Sequence, residues 1–407
     1  MNRASGRDWR TPTMVLAAGS ILLALSLGFR HAFGLFLAPM SRDNGWTREV
    51  FALAMAFQNL VWGLAQPFAG RIADRYGAGR SILGGAILYV AGLLLMSVSH
   101  TGSTLGWAGL LIGLGLGGTT ISVVFGAILR ATPPARRSMA MGIAMSVGSL
   151  GQFVMLPAAQ IAIGSVGWQT TLLGMAAVGA LMIPLAGALS EKPAGPSAEG
   201  DMRLRAVLSE AFSIPGFWLL CFGFFVCGFH VVFIATHLPS FLTDRGLGPS
   251  VGATVLALVG LFNIFGSYVS GLLGGRISKP AILVFIYGAR ALVIALFLAF
   301  PVTETTAYVF GAGMGLLWLS TVPPTNGTVA TLFGVENMAL LGGIVFLFHQ
   351  IGAFLGGWLG GRLYVATGSY DLVWWLSIGL AVMASLINLP IREVPVERIR
   401  ARAGGLA

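Results

Sequence analysis

The sequence predicts an all-α membrane protein, with twelve transmembrane helices in two pseudo-symmetric six-helix bundles. Three observations carry that prediction. Hydrophobic residues make up 56% of the 407 and charged residues only 9%, against about 25% charged in a soluble domain. Apolar runs long enough to cross a bilayer, ~20 residues each, recur twelve times. Short segments of the first half also return in the second at a nearly constant offset.

The runs lie at about 14–40, 48–69, 81–99, 105–129, 138–163, 169–189, 216–242, 250–274, 281–300, 305–332, 338–361 and 371–390. They are too long and continuous for the short alternating strands of an outer-membrane barrel. The first follows a basic N-terminus, but Met14 to Pro39 is too long for the core of a cleaved signal peptide, so it is kept as span one. Span two carries Gln58, Asn59 and Gln66. Spans four and eleven hold the glycine-rich runs Gly113–Gly118 and Gly356–Gly361, which suit close helix packing. Pro323-Pro324 is expected to break span ten near its centre. Between spans six and seven, Ser190 to Pro215 has a linker composition, including Lys192-Pro-Ala-Gly-Pro-Ser197. The chain thus divides into an N-terminal bundle (1–189), a linker (190–215), a C-terminal bundle (216–391) and a tail (392–407).

Lysine and arginine set the expected orientation. With the termini cytoplasmic, eighteen of the 24 fall in cytoplasmic segments, four on the opposite side, and Arg30 and Arg290 within spans. The net charge of +10 is therefore a topology signal rather than a nucleic-acid footprint. The expected location is the cytoplasmic (inner) membrane, multi-pass, with the protein working as a monomer. Cys221 and Cys227 share one apolar run and form neither a disulfide framework nor a metal pair.

The halves repeat each other. Gly28-Phe-Arg30-His31-Ala-Phe33 returns as Gly228-Phe-His230-Val-Val-Phe233, with Pro39 matching Pro239. Gly70-Arg71-Ile72 returns as Gly275-Arg276-Ile277, and Gly113, Gly115 and Gly117 as Gly311, Gly313 and Gly315. Spans one and seven correspond, which makes Arg30 the pseudo-symmetry mate of His230.

The loop after span two reads Gly70-Arg-Ile-Ala-Asp74-Arg75-Tyr-Gly77-Ala-Gly-Arg80. It resembles the G-x-x-x-D-R-x-G-R-R signature of the major facilitator superfamily. Gly70 permits close helix approach, and Asp74 is suited to accept hydrogen bonds from free amides at a helix start. The resemblance implies that Asp74, Arg75 and Arg80 stabilise one gating state. A narrower resemblance is to the bacterial monocarboxylate porter branch, through Phe33-Gly-Leu-Phe36 followed by a proline and the turn Gly45-Trp-Thr-Arg48. Carriers of that branch have a substrate-binding arginine in span eight. Aligned on Asn263, this chain has Ser267 there, and the positive charge is expected to have moved to Arg30.

All fourteen acids lie in tails, loops or the first turn of a span. Carriers of organic cations need an intramembrane carboxylate, so a cationic substrate is disfavoured. The deep ionisable groups are Arg30, His31, His230, His237, Arg290 and His349. A guanidinium at the bilayer centre costs roughly 3 kcal/mol on insertion scales and cannot be neutralised by losing its proton. The functional reading of Arg30 is a planar fork for a carboxylate; the structural one is an arginine satisfied by carbonyls. His230 is expected to assist it. His230, His237, His31 and His349 are the candidates for carrying a coupled proton, or else neutral rings bonded to carbonyls. Asn263, Trp318, Ser320 and Thr321 are the further candidate substrate contacts, against a role in gluing helices. Arg290, in a supporting span, is expected to bond carbonyls of a neighbouring helix.

No Walker, GxSxG or HExxH motif occurs, so the chain is not read as an enzyme, and no cofactor or metal is implied. The expected function is secondary transport of a small organic anion, proton-coupled or by exchange, with the halves rocking about a midplane site. The alternatives are an exporter of neutral or amphiphilic compounds, or a non-transporting sensor or scaffold.

Overall fold

The computed structural model describes residues 10–46, 48–191 and 204–396. Residues 192–203 of the linker, 397–407 of the tail and Thr47 of the Gly45–Arg48 turn lie outside them. Among the described residues the chain is helical throughout. Eleven of the described helical segments are long and apolar enough to cross a membrane. The twelfth, span two, sits in the helix Arg48–Tyr76, which is long enough at 29 residues but carries the polar Gln58, Asn59 and Gln66.

Span one is the helix Pro12–Ala32. Thr11 caps it by accepting from the Met14 amide, and Pro12 stands in the first turn, where its missing N–H is not needed. A tight turn (Phe33–Phe36) and a short helix (Leu37–Asn44) extend it to Gly45, whose left-handed φ of 67° ends the element. Span three is Ala78–Ser97. Spans five and six are one long helix, Arg137–Gly179, turned at Gly167 by a φ of 81°, followed by Met182–Ala188. A helix at Leu204–Ser213 leads into span seven, Pro215–Asp244. Then come span eight (Pro249–Leu273), nine (Lys279–Ala299), eleven (Met338–Thr367) and twelve (Asp371–Asn388).

Spans four and ten are each interrupted, at corresponding places of the repeat. Span four is Gly102–Thr119 and Ile121–Ala131; span ten is Glu304–Leu317 and Val322–Phe333. Both open with a threonine capping box, Thr101 with Thr104 and Thr303 with Thr306. The span-ten break falls just ahead of Pro323-Pro324, which occupy the first turn of the new helix, where proline is tolerated. Span four breaks at Thr120 without a proline, where Gly117-Gly118 give way to Thr119-Thr120.

Helix alternation puts the described ends of the chain, and the loop around Gly77, on one face, called here the termini face. The halves touch through spans two and eleven and through spans five and eight. On span two, Asn59, Gly63, Gln66 and Gly70 recur at helical spacing and meet Gln350, Gly343 and Ala339 of span eleven. A Cβ on Gly70 would lie 2.1 Å from the Ala339 carbonyl oxygen, so only glycine allows this approach. Gly142 of span five meets Gly271 of span eight just as closely, a Cβ on Gly271 falling 2.3 Å from the Gly142 Cα. Deeper in, Ser146 donates to the Ile264 carbonyl (2.8 Å). These contacts run from about the middle of the spans to the termini face.

Candidate functional site

At the termini face the Asp74 carboxylate, carried just beyond the apolar part of span two, closes the two halves together. It accepts from the Leu340 amide (2.8 Å) and the Ala339 amide (3.3 Å), at the start of span eleven. Free amides at a helix start, with the positive end of the helix dipole, are a natural carboxylate partner. Arg130 reinforces Asp74 from span four (2.9 Å) and forks onto Glu191 (2.7 and 3.0 Å). Burial pushes the Asp74 carboxyl up to about 7, against the opposing pull of Arg130 and the two amides.

Gly77 has φ 92° and fits against the Glu191 backbone. Arg75 and Arg80, which the signature groups with Asp74, are exposed, and Arg75 lies over the Tyr76 ring. The cation that joins Asp74 is Arg130. Its sequence signal is weak, because it stands 56 residues downstream at the end of span four.

Arg30 stands one turn before the tight turn that ends span one. Its Nη2 donates to the Asn59 Oδ1 (2.7 Å), and its guanidinium lies 5.7 Å from the Trp62 ring centroid. Asn59 is itself held by its Nδ2, which donates to the Met55 carbonyl (2.9 Å). Arg30 is half-buried. The bond to Asn59 is the one hydrogen bond it makes among the described residues, and no described carboxylate pairs with it. A guanidinium has five N–H donors, so most of the fork is free.

A polar thread leads from Arg30 into the other half. Gln350 of span eleven donates to the Asn59 carbonyl (3.1 Å), and its Oε1 is 3.1 Å from the His349 Nδ1. His349 stacks on Phe346 at 5.3 Å, and Phe346 packs on Trp62 at 4.7 Å. His349 is thus the histidine the structure links to Arg30. Trp62 and Gln350 are residues the sequence does not single out. Their signal is positional: Asn59 and Trp62 are three residues apart on span two, on one helix face.

The other candidates are placed elsewhere. His230 is fully buried, with Nε2 2.9 Å from the Ser377 carbonyl of span twelve. The repeat makes it the mate of Arg30, but its ring is directed into the C-terminal bundle. His237 bonds the Gly357 carbonyl (2.8 Å), and His31 the Leu27 carbonyl of its own helix (2.8 Å).

Asn263 has its polar atoms occupied. It donates to Ser149 of span five (2.7 Å) and accepts from Ser267 (3.1 Å) and the Leu319 amide (2.9 Å). It therefore ties span eight to both span five and the span-ten break. Trp318, Ser320 and Thr321 form that break and are buried. Ser320 donates to the Leu316 carbonyl (2.6 Å), and Thr321 lies 3.2 Å from the Cys227 sulfur. Arg290, fully buried, donates to the carbonyls of Leu317 and Trp318 that the break sets free. This is the carbonyl-bonding role its place in span nine suggested.

The sequence model of the Major Facilitator Superfamily matches residues 16–357. Mouse (Mus musculus) monocarboxylate transporter 11 is 26% identical, over 94% of this chain and 88% of its own length. Bovine (Bos taurus) monocarboxylate transporter 13 is also 26% identical, over 95% and 91%. The MFS-type transporter YcxA of Bacillus subtilis is 25% identical over 89% and 90%. Among solved structures, the Escherichia coli fucose:proton symporter FucP superposes with a TM-score of 0.72 at 14% identity, over 93% of this chain and 98% of that one.

Proposed function

Since this chain belongs to the major facilitator superfamily, and is thus a membrane transporter rather than an enzyme, we propose that its cargo is a small organic anion of the monocarboxylate kind. The observation that carries this reading is the state of Arg30. It is a permanent cation within a span, anchored through one N–H by Asn59 and left without a described counter-charge. A guanidinium so held is ready to take a carboxylate by two parallel N–H···O bonds. Trp62 beneath it offers an apolar face to the rest of the acid. The monocarboxylate transporters among its relatives support the same class.

On this reading the termini face is cytoplasmic, as the Lys/Arg asymmetry indicates, and the membrane is the inner one. The structure then corresponds to the state closed towards the cytoplasm, with Asp74 on the start of span eleven as its latch. Substrate reaches Arg30 from outside, and the halves rock to release it inside. His349, joined to Arg30 through Gln350 and Asn59, is the residue we assign to proton coupling.

The test is uptake into proteoliposomes of a panel comprising acetate, pyruvate, L-lactate, butyrate and benzoate. Wild type is expected to move at least one, with Arg30→Gln reducing uptake at least a hundredfold and Arg30→Lys retaining a fraction. Equal uptake by Arg30→Gln would remove the carboxylate reading. Transport confined to neutral amphiphiles would favour an exporter of such compounds.

A further inference from the structure

On the face opposite the termini, spans seven, nine and twelve of the C-terminal half enclose a cavity of about 280 Å³. Phe241 and Arg245 line it from the end of span seven, Phe300 and Pro301 from just past span nine, and Asp371 and Trp375 from the start of span twelve. It therefore sits where these helices leave the apolar layer, at the membrane boundary. Arg245 Nη2 is 3.3 Å from Asp371 Oδ1, and the guanidinium lies over the Phe241 ring at 5.0 Å. The two side chains are 47% and 58% exposed. An exposed pair of this kind stabilises little and opens at little cost. The bond to Asp371 is the one hydrogen bond the Arg245 side chain gives among the described residues, so most of its five N–H donors are open. The neighbouring acid, Asp244, is hydrogen-bonded to Tyr364 of span eleven.

The rest of the wall is apolar and faces outward. Phe300 and Trp375 are exposed, as suits aromatic side chains at headgroup level. Leu372, Trp375, Leu376, Val382 and Leu386 are exposed at helical spacing and make one apolar stripe down span twelve from the cavity. A molecule with a polar head and apolar chains fits both features at once. The volume is at the lower edge of small-molecule sites, so it suits the head while the chains lie on the stripe. A cation beside an anion selects a head that carries both signs. A phosphate suits the Arg245 fork, and a primary ammonium, with three N–H donors, suits Asp371. A quaternary ammonium has no N–H to give Asp371, and an anionic head brings it no cation.

We propose that this cavity binds the headgroup of phosphatidylethanolamine from the leaflet opposite the termini, phosphate on Arg245 and ammonium on Asp371, with the acyl chains along the exposed stripe of span twelve. The site belongs to the C-terminal half alone and does not depend on the carboxylate reading of Arg30.

The experiment is lipid retention by the full chain. Protein is released from nanodiscs holding equal parts of phosphatidylethanolamine, phosphatidylcholine and phosphatidylglycerol, and bound lipid is counted by native mass spectrometry. Wild type is expected to keep phosphatidylethanolamine at least fivefold over either other lipid. Arg245→Gln and Asp371→Asn should each cut that retention at least fivefold while the thermal midpoint in detergent stays unchanged. Equal retention of phosphatidylcholine overturns the proposal, because apolar contact alone then holds the lipid. A preference for phosphatidylglycerol overturns it too, because Arg245 then acts as a simple anion site. Variants that keep the wild-type preference place the lipid elsewhere and overturn it. So does displacement of the lipid by an equal concentration of soluble phosphoethanolamine, which would leave the stripe no part in binding. Should either variant be destabilised, the order of the three lipids on wild type still decides.

Discussion

Gln350 of span eleven donates to the backbone carbonyl of Asn59, the same residue whose side chain holds Arg30. One asparagine therefore faces two ways. Its Oδ1 aims the guanidinium, and its carbonyl is a contact between the halves at the level where the spans two and eleven zipper begins. A change in the separation of those spans pulls on the residue that positions Arg30, which gives gate movement a direct mechanical route to the binding group.

Replacing Asn59 separates positioning from charge. Asn59→Ala removes the 2.7 Å bond and leaves the guanidinium free to move, which should weaken acid binding about tenfold. Asn59→Asp places a carboxylate against the fork, and the internal ion pair competes with any substrate. Binding of the best acid, read as a ligand-dependent thermal shift, should fall at least a hundredfold in Asn59→Asp while the unliganded protein stays as stable as wild type. Retained binding in Asn59→Asp would falsify Arg30 as the carboxylate site.

Gly70→Ala tests the zipper at its tightest point. The added Cβ would sit 2.1 Å from the Ala339 carbonyl oxygen, on backbone that cannot rotate away. Overpacking of this kind costs about 1–3 kcal/mol, which weakens the closed arrangement and favours opening at the termini face roughly 5- to 150-fold. A cysteine placed at Leu340 reports it, because native Cys221 and Cys227 are fully buried. Leu340→Cys should react with a hydrophilic maleimide at least fivefold faster when Gly70→Ala is present. An unchanged rate would mean that the glycine is not needed for closure.

The sequence made the architecture readable because the bilayer imposes span length on every helix, and because the repeat leaves glycines at fixed offsets. Asp74 on free helix amides and Arg290 on neighbouring carbonyls were both legible, since each residue type has one dominant way to be satisfied at its depth. The break of span four at Thr120 is not legible, as it lacks a proline, and Thr119, Thr120 and Ser122 are residues a span accommodates by bonding its own carbonyls. Nor is the placement of His230. A repeat relates backbones, but whether a side chain faces the cavity or the next helix depends on the carbonyls nearby, and Ser377 of span twelve supplies one. Arg130 is not legible as the partner of Asp74, because the two meet only through tertiary packing.

Closure at the termini face should depend on pH through Asp74. Its carboxyl is raised to about 7 from an ordinary 3.8, chiefly by burial in the closed latch. When the latch opens, water reaches the group and the value falls back. The closed arrangement therefore binds the proton more tightly, and this contribution to closure is complete below about 4 and lost as pH rises through 7. Divided by the rate of a free thiol at the same pH, which removes the thiol's own ionisation, maleimide labelling of Leu340→Cys should accordingly be slower at pH 5.5 than at pH 8. Asp74→Asn, which mimics the protonated group, should remove most of that difference. A pH response that survives intact in Asp74→Asn would assign it to another residue.

Arg290 and Arg30 should fail in opposite ways. Arg290 is fully buried and supplies hydrogen bonds to the Leu317 and Trp318 carbonyls, which the break in span ten leaves without helical partners. Arg290→Leu takes the guanidinium from both carbonyls in an apolar interior, at about 1–3 kcal/mol each, so a total loss of about 2–6 kcal/mol is expected. It should appear as a thermal midpoint several degrees lower in detergent. Arg30 gives one hydrogen bond and is half-buried, so Arg30→Gln should alter the midpoint little while removing acid binding. The comparison is internal to one chain: two intramembrane guanidiniums, one bound to carbonyls and one left open. If Arg30→Gln were the strongly destabilising change and Arg290→Leu the silent one, the roles given to the two residues would be reversed.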